Sequence, residues 1–270
     1  GKYPFPEKIH LVRADMLDSR KLRQQLKDTD VVFHLAAKVT TPFANQDPHF
    51  FEQINHWGTA ELVYATEESA VQHFIYLSST SVYDRSDAEI TEDSIPNPHT
   101  YYGISKLRAE QHVERLLGKI KTHIIRCGNV YGINRGIRFD AVINNFMLQA
   151  NFENKISVHG SGLQKRSFIH IDAIAETLAQ LIHTNAPSGI YNRTSRNLSV
   201  NEIADVIEQL YPGLERIYIN QHLQLGSQEV STQSKLNAYI TLQETTLLEE
   251  LSAFKSHFAF SASKHAFTTK

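Results

Sequence analysis

Only one of the 270 residues is cysteine, Cys127, which excludes an internal disulfide framework and any zinc cage built from thiolates. Such sparing use of cysteine fits a reducing compartment, and the chain is expected in the cytoplasm. No apolar run approaches the roughly 18–20 residues that span a bilayer. The opening Gly1-Lys2-Tyr3-Pro4 has neither an initiator methionine nor the apolar stretch of a signal peptide, and it suggests a truncated start. Charge of one sign is also missing. Lys and Arg number 27 against 29 Asp and Glu, a net charge of −2, so nothing electrostatic points to nucleic acid or to an anionic membrane. The 14 histidines show no HxH or HExxH spacing, so no metal is expected. Small molecules remain as the ligands to look for. Without a secretory signal, the sequons Asn192-Arg193-Thr194 and Asn197-Leu198-Ser199 carry no meaning.

What is present is an ordinary core-forming composition, 41% hydrophobic and 21% charged, on a chain long enough to bury most of its surface. From Lys8 to Ile125, short apolar runs alternate with longer amphipathic stretches, the rhythm of a parallel sheet covered by helices. Ile9–Val12, Val31–Leu35, Phe74–Leu77 and His123–Ile125 read as buried strands. Ser19–Leu26, Phe50–Thr66 and Ser105–Leu117 read as helices, the last with Gly118 as its C-cap. Further on, the pattern predicts a helix around Phe139–Asn151, a strand Ile156–His159 and a turn at Gly160-Ser161-Gly162. Helices follow at Asp172–His183 and at Ser199–Leu210, where Ser199 and Glu202 form a capping box. Thr241–Phe258 reads as helical and the polar tail Ser261–Lys270 as poorly ordered.

Tyr102-Gly103-Ile104-Ser105-Lys106 sets a phenol and an ammonium on one face of a helix start. An ammonium there favours the phenolate, so the tyrosine could exchange a proton with a substrate hydroxyl near neutral pH. With 11 tyrosines in the chain, the spacing alone carries little weight. The cluster Ser78-Ser79-Thr80-Ser81 lies at the C-terminal end of an expected strand, where open α/β sheets place their ligands. Taken alone, it would be a turn cap.

Together these motifs resemble the catalytic Ser and Tyr-x-x-x-Lys of extended short-chain dehydrogenases/reductases, the nicotinamide-dependent sugar-nucleotide epimerases, dehydratases and reductases. His34-Leu35-Ala36-Ala37 is similar to a segment that lines the cofactor, and Asp15 to the acidic residue at the adenine. Asn55 resembles the asparagine that orders the site. Asn129 and Val130, in Arg126-Cys127-Gly128-Asn129-Val130-Tyr131-Gly132, resemble the segment leading to nicotinamide and substrate. Arg166 is similar to an arginine near the substrate's phosphates, where Lys165-Arg166 could meet a diphosphate. The resemblance runs from about Ile9 to Leu210. It implies a Rossmann-like doubly wound parallel sheet with a smaller C-terminal substrate domain. The nucleotide-binding part would be residues 1–131 plus about 166–185, and the substrate part 132–165 plus 186–270.

By this resemblance Tyr102 is the acid/base, Lys106 lowers its pKa and holds the nicotinamide ribose, and Ser79 holds the reacting oxygen, with Thr80, Ser81, Asn129 and Arg166 toward the substrate. The cofactor would be NAD, with NADP left open. The substrate would be a nucleotide sugar or a similar hydroxy or keto compound, and two copies would pair through Phe50–Thr66 and Ser105–Leu117. Dehydratases of the family follow the hydroxyl position with Asp-Glu; here Ser79 is followed by Thr80 and Ser81. Certain 3,5-epimerase-reductases carry a cysteine where Ser81 stands. Both subclasses are disfavoured, leaving a 4-epimerase-like enzyme or a simple reductase. After Arg216 the chain has no arginine, so a second phosphate contact expected near the C-terminus has no counterpart. A non-catalytic nucleotide sensor, a partner-binding relative or an inactive fragment stays open as the alternative.

The family's G-x-x-G-x-x-G phosphate loop and the strand that selects NAD or NADP do not occur in these residues. In the strand order 3-2-1-4-5-6 the corresponding strands are central. Residues 1–270 alone are therefore expected to bind dinucleotide poorly and to leave sheet edges prone to aggregation. Tight binding in an NAD(P)H titration of this chain would refute that expectation.

Overall fold

The computed structural model describes residues 9–39, 47–86, 88–220 and 226–258. Helix α1 (Ser19–Leu26) is opened by Asp18, whose carboxylate accepts the Lys21 amide, and strand β1 (Val31–His34) follows. Helix α2 (Pro48–Phe51) runs through a π-helical turn at Glu52–Trp57 into α3 (Gly58–Glu67). Then come β2 (His73–Ser79), α4 (Tyr101–Val113), β3 (Lys121–Cys127) and β4 (Asn129–Tyr131). The chain continues with α5 (Val142–Glu153), β5 (Lys155–His159), β6 (Lys165–His170) and α6 (Ile171–Leu181). The last elements are β7 (Gly189–Arg193), β8 (Arg196–Ser199), α7 (Val200–Leu210), β9 (Glu215–Ile219) and α8 (Leu247–Phe258).

Four strands form one parallel sheet in the order β1-β2-β3-β7. Side chains alternate across it as strand geometry requires. Phe74, Tyr76 and Ile124 pack with Leu62, Val63, Ala109 and Val113 under α3 and α4, whereas Ile75, Ile125 and Cys127 pack with Ile174, Leu178 and Leu181 under α6. The sheet is thus covered on both faces, as its nearly continuous apolar strands demand. A separate core joins Ile143, Phe146, Met147, Ile156, Ile203, Ile207, Leu251 and Phe254. It packs α5, α7 and α8 around the parallel β5–β9 pair. Strands β4, β6 and β8 form a third small sheet.

Several expectations change. Ile9–Val12 is not a strand: it has no hydrogen-bonded neighbour among the described residues, and Ile9 and Leu11 are exposed. A strand without a partner leaves its backbone to water. Strand β7 lies beyond residue 185, yet it is the fourth strand of the first sheet, because its register against β3 completes the parallel ladder. Leu236 and Ile240 also pack on that sheet's core, so the chain returns to it later than expected. Helix α8 begins at Leu247 rather than Thr241, since Thr246 and Glu249 bond to each other at its start. Helix α4 begins at Tyr101, capped by Thr100. Gly118, at φ +80°, ends the helical region that α4 opens. The capping box at Ser199 and Glu202 forms as expected, whereas the tail 261–270 lies outside the described residues.

At the opposite end of the sheet from its ligand face, His73 Nε2 and His123 Nδ1 lie 2.8 Å apart, and His123 Nε2 reaches the Ala186 carbonyl at 3.2 Å. Burial and mutual repulsion lower the pKa of His73 to about 4; burial lowers that of His123. Below about pH 6.5, where a free histidine charges, the unfolded chain binds protons that the folded one refuses. Stability should therefore fall from about pH 6.5 toward pH 4, and a His73→Gln/His123→Gln variant should show a shallower fall in denaturant titrations.

Candidate active site

The C-terminal ends of β1, β2 and β3 open onto a cavity of about 580 Å³. This is where a doubly wound sheet presents its ligand crevice. Leu35, Ala37, Ser79, Ser81, Tyr102, Lys106, Asn129 and Val130 line it, as the sequence led one to expect. The far wall comes from the second core's approach segment, including Asn134, Arg138 and Asn144. Asn144 holds that wall in shape: its side chain accepts the Gly132 amide at 3.0 Å and donates to the Arg138 carbonyl at 3.0 Å.

Tyr102 and Lys106 stand one turn apart on α4, and Ser79 ends β2. Ser79 Oγ accepts the Ser81 amide at 3.1 Å and lies 3.1 Å from Ser81 Oγ. What brings helix and strand end so close is Gly103. A Cβ there would lie 2.2 Å from the Ser81 carbonyl oxygen and 2.9 Å from Pro98 Cβ. Only a residue without a side chain lets α4 rest on the serine turn.

Lys106 is buried, and its Nζ donates to the Leu77 carbonyl at 2.7 Å and to the Tyr76 hydroxyl at 3.1 Å. Burial pulls its pKa down to about 7, with the Glu110 carboxylate working the other way. The phenol of Tyr102 behaves differently from the expected lowering: burial pushes it up to about 12, opposed by the Ser79 hydroxyl and the Arg138 charge. The ammonium is engaged with Tyr76 and Leu77, and the phenol is held in its neutral, proton-donating form.

The other expected residues act at one remove. Asn55, buried in the π-helical turn, accepts the Lys38 amide at 2.7 Å and donates to the Lys38 carbonyl at 2.9 Å and to Ser105 Oγ at 2.9 Å. Ser105 in turn donates to the Tyr102 carbonyl at 2.9 Å. One side chain thus ties the segment after β1 to the first turn of α4, at the kind of π-bulge often found at functional sites. His34 points into the core, 2.7 Å from Thr59 Oγ1 and stacked on Tyr76 with ring centroids 5.1 Å apart. Thr59 donates onward to the Asn55 carbonyl at 2.6 Å, so His34 supplies the proton from Nε2. Burial lowers its pKa to about 3 and it stays neutral.

The structure does not bring every expected residue to the cavity. His34 and Asn55 are buried outside its lining, and Ala36 and Asp15 are exposed, the Asp15 carboxylate on the Leu17 amide. Thr80 is buried and takes no place in the lining, since the turn after β2 directs it inward. Arg166 also lies outside it, donating to the carbonyls of Lys165 at 2.7 Å and Gly226 at 2.6 Å. Sequence reasoning missed Tyr76, Ser105 and Asn144. Ser105 sat inside the quoted Tyr102–Lys106 motif, and its spacing from Tyr102 was the available signal. Among the described residues, no three His, Cys, Asp or Glu side chains gather to hold a metal ion.

A parallel doubly wound sheet with Ser, Tyr and Lys at one crevice defines a short-chain dehydrogenase/reductase type of site. The family pattern described as NAD dependent epimerase/dehydratase family matches residues 2–192. The chain belongs to that family. It is 32% identical over 205 residues to mouse dTDP-D-glucose 4,6-dehydratase, covering 74% of this chain and 57% of that one. It is 29% identical over 171 residues to the uncharacterized UDP-glucose epimerase YtcB of Bacillus subtilis, covering 62% and 53% respectively. The chain spans 57–58% of the length of the mammalian dehydratases it matches. Among solved structures, MoeE5 in complex with UDP-glucose and NAD superposes with a TM-score of 0.81 at 25% identity, covering 93% of this chain and 86% of that one. UDP-glucuronic acid 4-epimerase of Bacillus cereus does so with a TM-score of 0.81 at 23% identity, over 92% and 81%.

Gly103→Ala should force α4 off the serine turn, at a cost of about 1–3 kcal/mol in unfolding free energy. Denaturant melts of this variant beside Gly118→Ala test the point. The Cβ at Gly118 meets nothing within 4 Å, so only its positive-φ strain should register.

Proposed function

We propose that the protein is an NAD(P)-dependent epimerase or reductase that acts on a nucleotide sugar through a tyrosine acid/base. The observation that carries this reading is the convergence of Ser79, Tyr102 and Lys106 on one crevice at the C-terminal edge of a parallel sheet. The donor set suits the nicotinamide end of a dinucleotide: a buried ammonium and a phenol for ribose hydroxyls, with apolar Leu35, Ala37 and Val130 around a flat ring. When bound, the nicotinamide ring supplies the hydride chemistry. Lys106, released from Leu77 and Tyr76, would hold the ribose. Asp15, His34, Ala36 and Asn55 would support or meet the rest of the cofactor, and the relatives' ligands favour NAD.

On the substrate side, the Tyr102 phenol donates or accepts the proton at the reacting oxygen, and Ser79, with Ser81 beside it, orients that oxygen. Asn129 faces the same cavity. Arg166 would meet the diphosphate; it is half-buried, burial lowers its pKa and the neighbouring Arg85 adds to that, and an anion would offset both. The dehydratase kinship does not extend to the acids that eliminate water, because Thr80 and Ser81 stand where Asp and Glu would be needed. We therefore favour 4-epimerisation or simple reduction.

In this reading residues 132–165 and most of those after Thr194 form the substrate part. The protein works in the cytoplasm and pairs with a second copy through the helices at 48–67 and 101–113. Among the described residues, no helix is long and apolar enough to cross a membrane.

The test is a turnover screen of the full-length protein over UDP- and dTDP-sugars with NAD and NADP. Tyr102→Phe should lose about 10²- to 10⁴-fold in kcat while still quenching or enhancing NAD(P)H fluorescence on binding. Cofactor binding with no turnover on any nucleotide sugar would instead favour a sensor.

A further inference from the structure

Behind the crevice, reaching its lining at Ser78, lies a buried network that the acid/base chemistry does not itself use. The Glu110 carboxylate, fully buried on α4 one turn beyond Lys106, takes Arg126 of β3 in a forked pair: Nη2 to Oε2 at 2.7 Å, Nε to the two oxygens at 3.1 and 3.2 Å. Ser78, the neighbour of Ser79 on β2, donates to Glu110 Oε1 at 2.5 Å. Arg126 passes on to the Tyr83 hydroxyl at 2.8 Å, and Tyr83 donates to Asn192 Oδ1 at 2.9 Å. Three backbone elements therefore meet at one carboxylate: the strand end carrying Ser79, the helix carrying Tyr102 and Lys106, and the strand leading to Asn129.

We propose that Glu110 is the positioning residue of this site, locking the serine-bearing end of β2 to the helix that carries Tyr102 and Lys106 and so fixing the geometry in which they act. This rests on the enzymatic reading above. A buried ion pair alone could be a leftover of packing, since apolar replacements of similar volume often hold a fold as well. Two features point further. The bond from Ser78 ties the carboxylate to β2 as well as to β3, and it falls one residue from Ser79. Glu110 is also the carboxylate that acts to keep Lys106 charged. The other groups around that ammonium are Tyr76 and the Leu77 carbonyl on β2, with Cys127 on β3 and His34 at the end of β1 in its field. None of them is a carboxylate.

The experiment uses full-length protein and three variants, Ser78→Ala, Glu110→Gln and the charge-neutral Glu110→Gln/Arg126→Met. It reads thermal midpoint, kcat and KM on the nucleotide sugar turned over, and the titration of the Lys106 amine by ¹³C NMR of labelled lysine. Ser78→Ala should keep its midpoint within a few degrees yet lose about 10-fold in kcat at unchanged KM, a modest misplacement of reacting groups. Glu110→Gln leaves Arg126 uncompensated and should melt well below the wild type. The double variant should recover the midpoint, stay down by about 100-fold in kcat, and show Lys106 losing its proton at lower pH. Wild-type kcat in Ser78→Ala, or a double variant with both wild-type rate and wild-type Lys106 titration, would overturn the proposal. If no nucleotide sugar is turned over by the wild type, the enzymatic reading fails separately. A crystal structure of Ser78→Ala then decides, a shift of Ser79 against Tyr102 supporting the lock and an unchanged spacing rejecting it.

Discussion

Lys106, Glu110 and Arg126 are all taken out of water beneath the C-terminal end of β2, and an isolated charge there would cost more than the fold could spare. Each is tolerated because the next partners it. Arg126 from β3 reaches Glu110 on α4, Ser78 on β2 closes the remaining lone pair, and Lys106 finds the Leu77 carbonyl and the Tyr76 hydroxyl. These bonds allow little play between helix and sheet, since hydrogen bonds weaken steeply beyond their ordinary lengths. The height and rotation of α4 follow from them. That height in turn requires Gly103, because the helix then lies against the Ser81 carbonyl. The same docking brings Ser105 to Asn55 and, through Asn55, to the backbone of Lys38.

How much of this could be read in advance depends on whether a residue's role is local. The strands β2 and β3 were legible as short apolar runs buried on both faces, helices α1, α3 and α7 by their apolar spacing, and the box at Ser199 and Glu202 because both partners lie within one turn. Ser79, Tyr102 and Lys106 were picked out by their resemblance to a family pattern, and the fold brings all three to one cavity. Tyr76 was not: it looks like any aromatic in a buried strand, and only the fold puts Lys106 against its hydroxyl. Glu110 reads as one more charge on an amphipathic helix until Arg126 arrives from a strand sixteen residues on. Strand β7 escaped because Gly189–Arg193 is short and carries an asparagine and an arginine inward, where Arg193 is satisfied by Thr177 and Asn237. Ile9–Val12 had the composition of a strand, but composition cannot supply a neighbour.

The second core does for the cavity what α4 does for the catalytic edge. Asn144 on α5 fixes Gly132 and the Arg138 carbonyl, and Tyr131, whose hydroxyl reaches the Glu250 carboxylate, ties β4 to α8. Glu250 is itself held by Arg196 at 3.0 Å. The wall facing Ser79 and Tyr102 is therefore built from a helical layer with its own apolar interior. Its lining can vary with substrate while the sheet side keeps its chemistry, which is how one scaffold hosts many reactions.

The proton inventory of the site sets the direction in which it is poised. A phenol pushed up to about 12 by burial is a hydroxyl at neutral pH, ready to give a proton to an oxygen that gains negative charge. To take a proton instead, it must be brought down, and burial works against that; the Ser79 hydrogen bond and the Arg138 charge work toward it. Lys106 is one turn away but spends its bonds on Leu77 and Tyr76, and burial has brought its own pKa to about 7. The charge on that ammonium near neutral pH is set by burial against the Glu110 carboxylate. Glu110 lies one turn beyond Lys106, so the phenol, the ammonium and the carboxylate stand in line along one face of α4.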